Sequence, residues 1–375
     1  MIYSYSYFSG VSFQFLRVEI LGANLKIEAF KENQMEGEAK AILKVWFIVL
    51  ASFCYCYFIV SKIPKGKFRI FSLLPVFTLF TLLPFSLSLV IPAGITGFFI
   101  TWLGNFKLLL YCFNLGPLSD NQFIKLSLPK FILIGAFPIK IKNPSTQNKI
   151  YTKVLPLNIW SETLFFSILV GICDIYKERL HQNLIFVIYY CMLYLFLDVI
   201  MGISNKFVGS IIDVELYPPS DEPYLSTSLQ DFWGRRWNLM ITDILRHTVY
   251  KPTRTFLSNY MGLKWATIPA VMAAFLVSGL MHELIFYYLT RVTPSWEVMF
   301  FFVLHGLCVM LEVYLKDSLG RKVGLYGIIT GPLTIGFVMG SGYWWFLPPL
   351  VRNHVDIRAI EEFKIVYEFT KGIFK

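Results

Sequence analysis

Leu276-Val277-Ser278-Gly279-Leu280-Met281-His282-Glu283-Leu284-Ile285-Phe286-Tyr287-Tyr288 lies inside an apolar run, 265–289, long enough to cross a bilayer. The run carries a histidine and a glutamate side by side. Ionisable groups at such depth are costly, and they face a cavity, a partner or a substrate path. Histidine has an ordinary pKa of about 6.5, so it can accept a proton from a substrate near neutral pH.

The rest of the 375-residue chain has the same character: 56% of it is hydrophobic, 18% aromatic and 15% charged. A mean hydropathy of +0.58 leaves more apolar surface than so few charges can cover in a soluble domain. The expected class is an all-α, polytopic transmembrane protein. Runs of the spanning length recur at 41–60, 68–91, 93–113, 155–174, 184–204, 265–289, 297–315 and 324–347, which gives about eight spans. Pro75, Pro84, Pro156, Pro269 and Pro332 fall within them and are tolerable where neighbours satisfy the freed carbonyls. Leu128 to Phe137 is apolar but too short to span, which suits a re-entrant or interfacial element.

The formal net charge of +10 sits in short loops rather than on a soluble surface. Lys62, Lys65, Lys67 and Arg69 follow the first run, and Lys125, Lys130, Lys140, Lys142, Lys149 and Lys153 the third. Arg235, Arg236, Arg246, Lys251 and Arg254 follow the fifth, and Lys316, Arg321 and Lys322 the seventh. Such loops are expected on the cytoplasmic side, which puts both termini on the opposite one. No extended basic surface remains for a nucleic acid. Cys54, Cys56, Cys112, Cys173, Cys191 and Cys308 lie in or beside apolar segments without C-x-x-C spacing, so they read as small buried hydrophobes. Residues 1–34 lack the pattern of a signal peptide and read as an N-terminal extension, with Met35 as a plausible start and 35–375 as the domain.

The connection 205–262 is the one sizeable polar region between helices. Pro218, Pro219 and Pro223 make its first part extended, and Ser228 with Asp231 forms a capping pattern. The helix predicted from there puts Leu229, Trp233, Trp237 (or Arg236), Met240 and Ile244 on one apolar stripe, lying along the cytoplasmic membrane boundary or dipping into it.

Two constellations carry chemistry. Ser278 and Gly279 lie one turn from His282 and are small enough to leave open volume beside the imidazole, although small residues also permit close helix packing. Glu283 points elsewhere around the helix, and His305 and Glu312, seven apart on one face, are expected to pair with each other. Asp198 and Glu162 are isolated intramembrane acids with no assigned role. The block Phe232-Trp233-Gly234-Arg235-Arg236-Trp237-Asn238 can anchor at an interface, grip a phosphorylated donor, or offer an Asn238 hydrogen bond to a developing oxyanion.

The strings from Ser226 to Met240 and from Ser278 to Ile285 resemble those of plant wax synthases, the long-chain-alcohol O-fatty-acyltransferase branch of the membrane-bound O-acyltransferases. Asn105-Phe106-Lys107-Leu108-Leu109-Leu110, Phe137-Pro138-Ile139-Lys140-Ile141-Lys142 and the stretch from Arg291 to Lys316 are similar to the same branch. The resemblance runs from Met35 onward and implies helices around an intramembrane reaction chamber in the endoplasmic reticulum membrane. It implies acyl transfer from acyl-CoA to a lipid alcohol, with fatty alcohols, sterols and diacylglycerol as candidate acceptors. His282 would be the catalytic base and Asn238 would close an aromatic motif lining the acyl-CoA region. Phe232, Trp233, Arg235, Arg236, Trp237, Ser278 and Gly279 would contact substrate. No metal, cofactor or obligate protein partner is implied, and no Ser or Cys beside His282 suggests an acyl-enzyme. His247 departs from the family, which has proline after the preceding Leu-Arg pair, as does the extension before Met35. A transporter with His282, Glu283, His305 and Glu312 along a proton or solute route is the reading from another class.

Overall fold

The computed structural model describes residues 35–119, 126–142, 158–318 and 327–373. Among the described residues seven helices are long and apolar enough to cross a membrane: α1 (Met35–Lys62), α2 (Lys67–Ser86), α3 (Val90–Tyr111), α5 (Ile159–Arg179), α6 (Gln182–Ile212), α9 (Thr267–Thr290) and α10, whose spanning part is Glu297–Lys316. Between α3 and α5 lies α4 (Leu128–Ala136), the short element expected from its length. Two further helices, α7 (Leu239–Leu245) and α8 (Lys251–Trp265), fill the long connection before α9. The chain closes with α11 (Gly327–Trp345), α12 (Pro348–Arg352) and α13 (Val355–Ile373). Among the described residues the only strand-like pairing is one isolated bridge, Ile141 to Leu216.

The expected eighth run is helical as well. It does form α11, uncharged and 19 residues long, and it stands outside the seven. The N-terminal extension, Pro156 and the loop cations Lys125, Lys149, Lys153, Arg321 and Lys322 lie outside the described residues.

Close helix approach explains two of the glycines. A Cβ on Gly97 would stand 2.9 Å from the Tyr288 ring, so α3 presses directly on α9. At Gly279 it would stand 2.8 Å from Met299 Sδ, at the α9–α10 contact. The backbone of α3 widens into a π-helical stretch over Gly97–Gly104, every residue of which is buried. π-Turns of this kind re-aim side chains, and this one carries Trp102 inward.

Buried polar groups staple the bundle. Lys107, inside α3, donates from Nζ to the Ile134 and Phe137 carbonyls at 2.7 and 2.5 Å, which satisfies the buried C-terminal end of α4. The opposite end of α3 begins with amides that its own ladder cannot pair. Glu38 of α1 accepts from Ser88 and Leu89 N–H, and Glu362 of α13 accepts from Val90 and Ile91 N–H at 2.6 and 2.9 Å. Arg291, at the end of α9, donates to the Pro84 and Leu87 carbonyls nearby. Glu362→Ala should therefore leave two buried amides unpaired and cost roughly 1–3 kcal/mol, read as a lower unfolding temperature of the detergent-solubilised protein; an unchanged temperature would show the cap to be dispensable.

Candidate active site

His282 projects from the middle of α9. Its Nδ1 lies 2.8 Å from the Ser278 carbonyl oxygen one turn back. A carbonyl can only accept, so Nδ1 carries a proton, and in the neutral imidazole Nε2 then keeps its lone pair. Among the described residues Nε2 has no hydrogen-bond partner. The ring is held by aromatic neighbours: it stacks on Phe302 of α10 at 4.3 Å between centroids and meets Trp102 of α3 edge-on at 4.9 Å and Phe346 at 5.7 Å. These contacts fix the imidazole without engaging its free nitrogen.

The residues around His282 divide their work. Ser278 supplies the carbonyl and lines the cavity described below. Gly279 serves the α9–α10 contact and is absent from the cavity wall. Glu283 turns away and accepts the Met299 N–H at 2.9 Å, capping the start of α10. His305 and Glu312 do not pair with each other. His305 is wholly buried between Trp233 and Ser341, whereas Glu312 accepts from Gln230 N–H and pairs with Lys316. Their helical spacing gives a shared face, but each meets a different neighbour. Asp198 accepts a hydrogen bond from Ser220.

The long connection differs from the single helix expected there. Ser228 does cap, accepting from Asp231 N–H at 3.2 Å, but only Leu229–Asp231 is α-helical before the backbone widens into a π-turn over Phe232–Arg236. The helix then breaks at Asn238, whose φ of 40° is left-handed, a region Asn tolerates better than most residues. The break splits the anticipated stripe: Trp233 and Trp237 precede it, Met240 and Ile244 follow it. Asn238 also starts α7, its Oδ1 accepting from Ile241 N–H at 3.2 Å. With Oδ1 so engaged, the Nδ2 group is the free half of the amide, and among the described residues it has no partner. Thr242 ties the turn together by donating to the Trp233 carbonyl at 2.9 Å.

The two adjacent arginines have separate fates. Arg236 is committed to the fold: it pairs with Asp231 at 2.9 Å and donates to the Asp221 carbonyl at 3.1 Å. Arg235 is exposed and, among the described residues, has no hydrogen-bonded or ionic partner. Phe232 is buried and stacked on Trp237, with centroids 5.4 Å apart.

A cavity of about 1080 Å³ joins the two constellations. Its wall includes His282 and Ser278 with Phe232, Trp233, Trp237 and Asn238, together with Trp102, Phe302 and Phe346. Along α9 it follows a single stripe from Thr267 through Val271, Ala274, Ser278 and His282 to Leu289, a length of about 33 Å at 1.5 Å per residue. Pockets for drug-sized ligands run to about 1,000 Å³, so this volume and length suit long apolar chains. Sequence reasoning did not single out Trp102, Phe302 or Phe346. They lie in uniformly apolar helices where no local pattern sets them apart, although Trp102 precedes the family-like Asn105-Phe106-Lys107.

Residues 217–304, which contain both the Phe232–Asn238 stretch and His282, match the membrane bound O-acyl transferase family. Over 345 residues the chain is 44% identical to a long-chain-alcohol O-fatty-acyltransferase of Simmondsia chinensis, covering 90% of this chain and 97% of that protein. The chain belongs to the membrane-bound O-acyltransferases. Other relatives from Arabidopsis thaliana are an acyl-CoA–sterol O-acyltransferase, 38% identical over 88% of this chain and 96% of its own, and a probable long-chain-alcohol O-fatty-acyltransferase, 39% identical over 90% and 98%. This membrane-bound O-acyltransferase is thus an integral membrane enzyme, which sets aside the transport reading. Within it, Arg236→Ala should cost roughly 1–3 kcal/mol by stranding Asp231 and loop carbonyls, seen as poor accumulation and early thermal unfolding. Arg235→Ala should accumulate normally; equal losses in both would remove the distinction.

Proposed function

We propose that the enzyme transfers a fatty acyl group from acyl-CoA to the hydroxyl of a long-chain alcohol, giving a wax ester, with His282 as general base. The observation that carries this is His282 on the wall of a long apolar cavity, its Nδ1 tied to the Ser278 carbonyl and its Nε2 without a hydrogen-bond partner among the described residues. Nε2 takes the alcohol proton as the oxygen attacks the thioester carbonyl. The carbonyl oxygen becomes an oxyanion and accepts from Asn238 Nδ2, whose orientation is preset by the Ile241 cap. Collapse breaks the C–S bond, and the imidazolium returns its proton to the leaving sulfur. Products are the ester and CoA with a free thiol; acyl-CoA is a co-substrate, and the scheme calls for no bound cofactor, metal or protein partner.

Donor and acceptor differ in how they reach this point. CoA is charged and soluble, and exposed Arg235, with Arg246 at the cavity rim, offers guanidinium groups to its phosphates. Trp233 and Trp237 line the passage inward. The acceptor is a lipid, for which the aromatic and aliphatic wall supplies a path out of water. Identity with long-chain-alcohol transferases favours a fatty alcohol over a sterol or diacylglycerol. The endoplasmic reticulum membrane, with the basic loops cytoplasmic, is the proposed location.

His282→Ala should lower turnover by at least about 10²-fold with unchanged abundance; retained turnover would remove its role. Asn238→Asp separates capping from donation, because the carboxylate still accepts from Ile241 N–H but offers no N–H. It should accumulate normally yet lose about 10²–10³-fold in kcat, and near-native kcat would leave Asn238 a capping residue only. Expression in yeast lacking neutral-lipid synthesis, with fatty alcohol, sterol and diacylglycerol supplied, should yield wax esters; steryl esters or triacylglycerol alone would overturn the acceptor.

A further inference from the structure

The second buried histidine has a defined set of partners. Trp233 Nε1, which can only donate, lies 3.0 Å from His305 Nδ1, and His305 Nε2 lies 2.8 Å from Ser341 Oγ. Nδ1 is therefore the acceptor and Nε2 carries the proton, which it donates to Ser341. Ser341 in turn donates to the Phe337 carbonyl of its own helix at 2.6 Å. One line of hydrogen bonds thus runs from the π-turn through α10 into α11. His305 is completely buried, and Phe301 and Phe337 pack against its ring at 4.2 and 5.1 Å.

Trp233 is the end of this line that reaches the cavity. Its indole also packs on Phe302 at 5.7 Å, and Phe302 is the ring stacked on His282 at 4.3 Å. Any rotation of the indole would disturb the surface supporting the base. A packing histidine would need only shape; this one has each nitrogen matched to a partner of the opposite hydrogen-bonding sense.

We infer that His305 is a positioning residue for acyl transfer: by accepting from Trp233 while donating to Ser341, it sets the indole that forms the cavity wall and supports Phe302 behind His282. The inference deepens the proposed reaction and rests on it for its link to turnover. Neutral His305 alone satisfies both neighbours, since a second proton would face the Trp233 N–H with another donor.

The test uses the full chain in membranes, with acyl-CoA and a long-chain alcohol as substrates. His305→Leu should reduce kcat by at least about ten-fold while the KM for acyl-CoA changes little. His305→Gln, whose amide offers one acceptor and one donor, should recover most of that loss. Trp233→Phe should lose a similar amount, and the double variant Trp233→Phe/His305→Leu no more than the worse single variant, the sign of a shared interaction. Additive losses, or His305→Leu activity within about three-fold of the parent, would overturn the inference. If His305→Leu fails to accumulate, Ser341→Ala decides: it leaves the Nε2 proton without its acceptor and should depress kcat, and an unchanged kcat would overturn the inference. His282→Ala in the same membranes separates the two readings. Its retained turnover would refute the general base, whereas a dead His282→Ala beside a fully active His305→Leu would refute only the positioning role.

Discussion

A single hydrogen bond, from His282 Nδ1 to the Ser278 carbonyl, decides what the centre of this molecule can do. It costs α9 nothing in sequence beyond having the histidine four residues after a helical carbonyl, yet it determines which nitrogen is basic. The surrounding features make that bond persistent. Gly279 lets α10 approach, Glu283 caps the start of α10, and Phe302 arrives from α10 to stack on the imidazole. His305 is held in the opposite tautomer by the indole of Trp233. Two histidines thus lie in the apolar interior, one on the cavity wall with Nε2 unpaired among the described residues and the other consuming both nitrogens in the fold.

Irregular backbone between α6 and α8 would be expensive in an apolar setting unless every polar group were paired. The chain meets this with local side chains. Ser228 and Asn238 cap, Thr242 closes the π-turn, and Arg236 collects carbonyls from the extended proline-rich segment. Backbone bonds from Asp221 N–H to the Arg236 carbonyl and from Leu239 N–H to the Pro219 carbonyl complete the pairing. The arrangement spends one arginine and half an amide on structure. What remains, the Asn238 Nδ2 group and exposed Arg235, is what the proposed chemistry draws on.

Much of this was legible in the sequence because the signals were local. The spans follow from run length: all eight runs coincide with helices, and seven of these are long and apolar enough to cross a membrane. The short α4 follows from being too brief to cross, and the Ser228 cap from its residue type. Three things were not legible. The helix break at Asn238 is a left-handed residue inside a plausible periodic stripe, and periodicity reports which faces are apolar rather than where a helix stops. The separate uses of Arg235 and Arg236 depend on Asp221 and Asp231, whose positions only the folded loop establishes. The partners of His305 come from a turn 72 residues upstream and from α11, so a same-face reading with Glu312 had no access to them.

The cap on α3 has a consequence for biogenesis. Glu362 stands 272 residues after the Val90 amide it satisfies. At roughly 5–20 residues per second that separation amounts to about 14–54 s of translation. During that interval the third helix, which brings Trp102 to the future chamber, is already made while the start of its backbone waits for a carboxylate not yet synthesised. The nascent protein must therefore remain an incomplete bundle in the hands of the insertion machinery until its final helix emerges, and a ribosome that stalls late should release a chain with almost every span and no finished chamber.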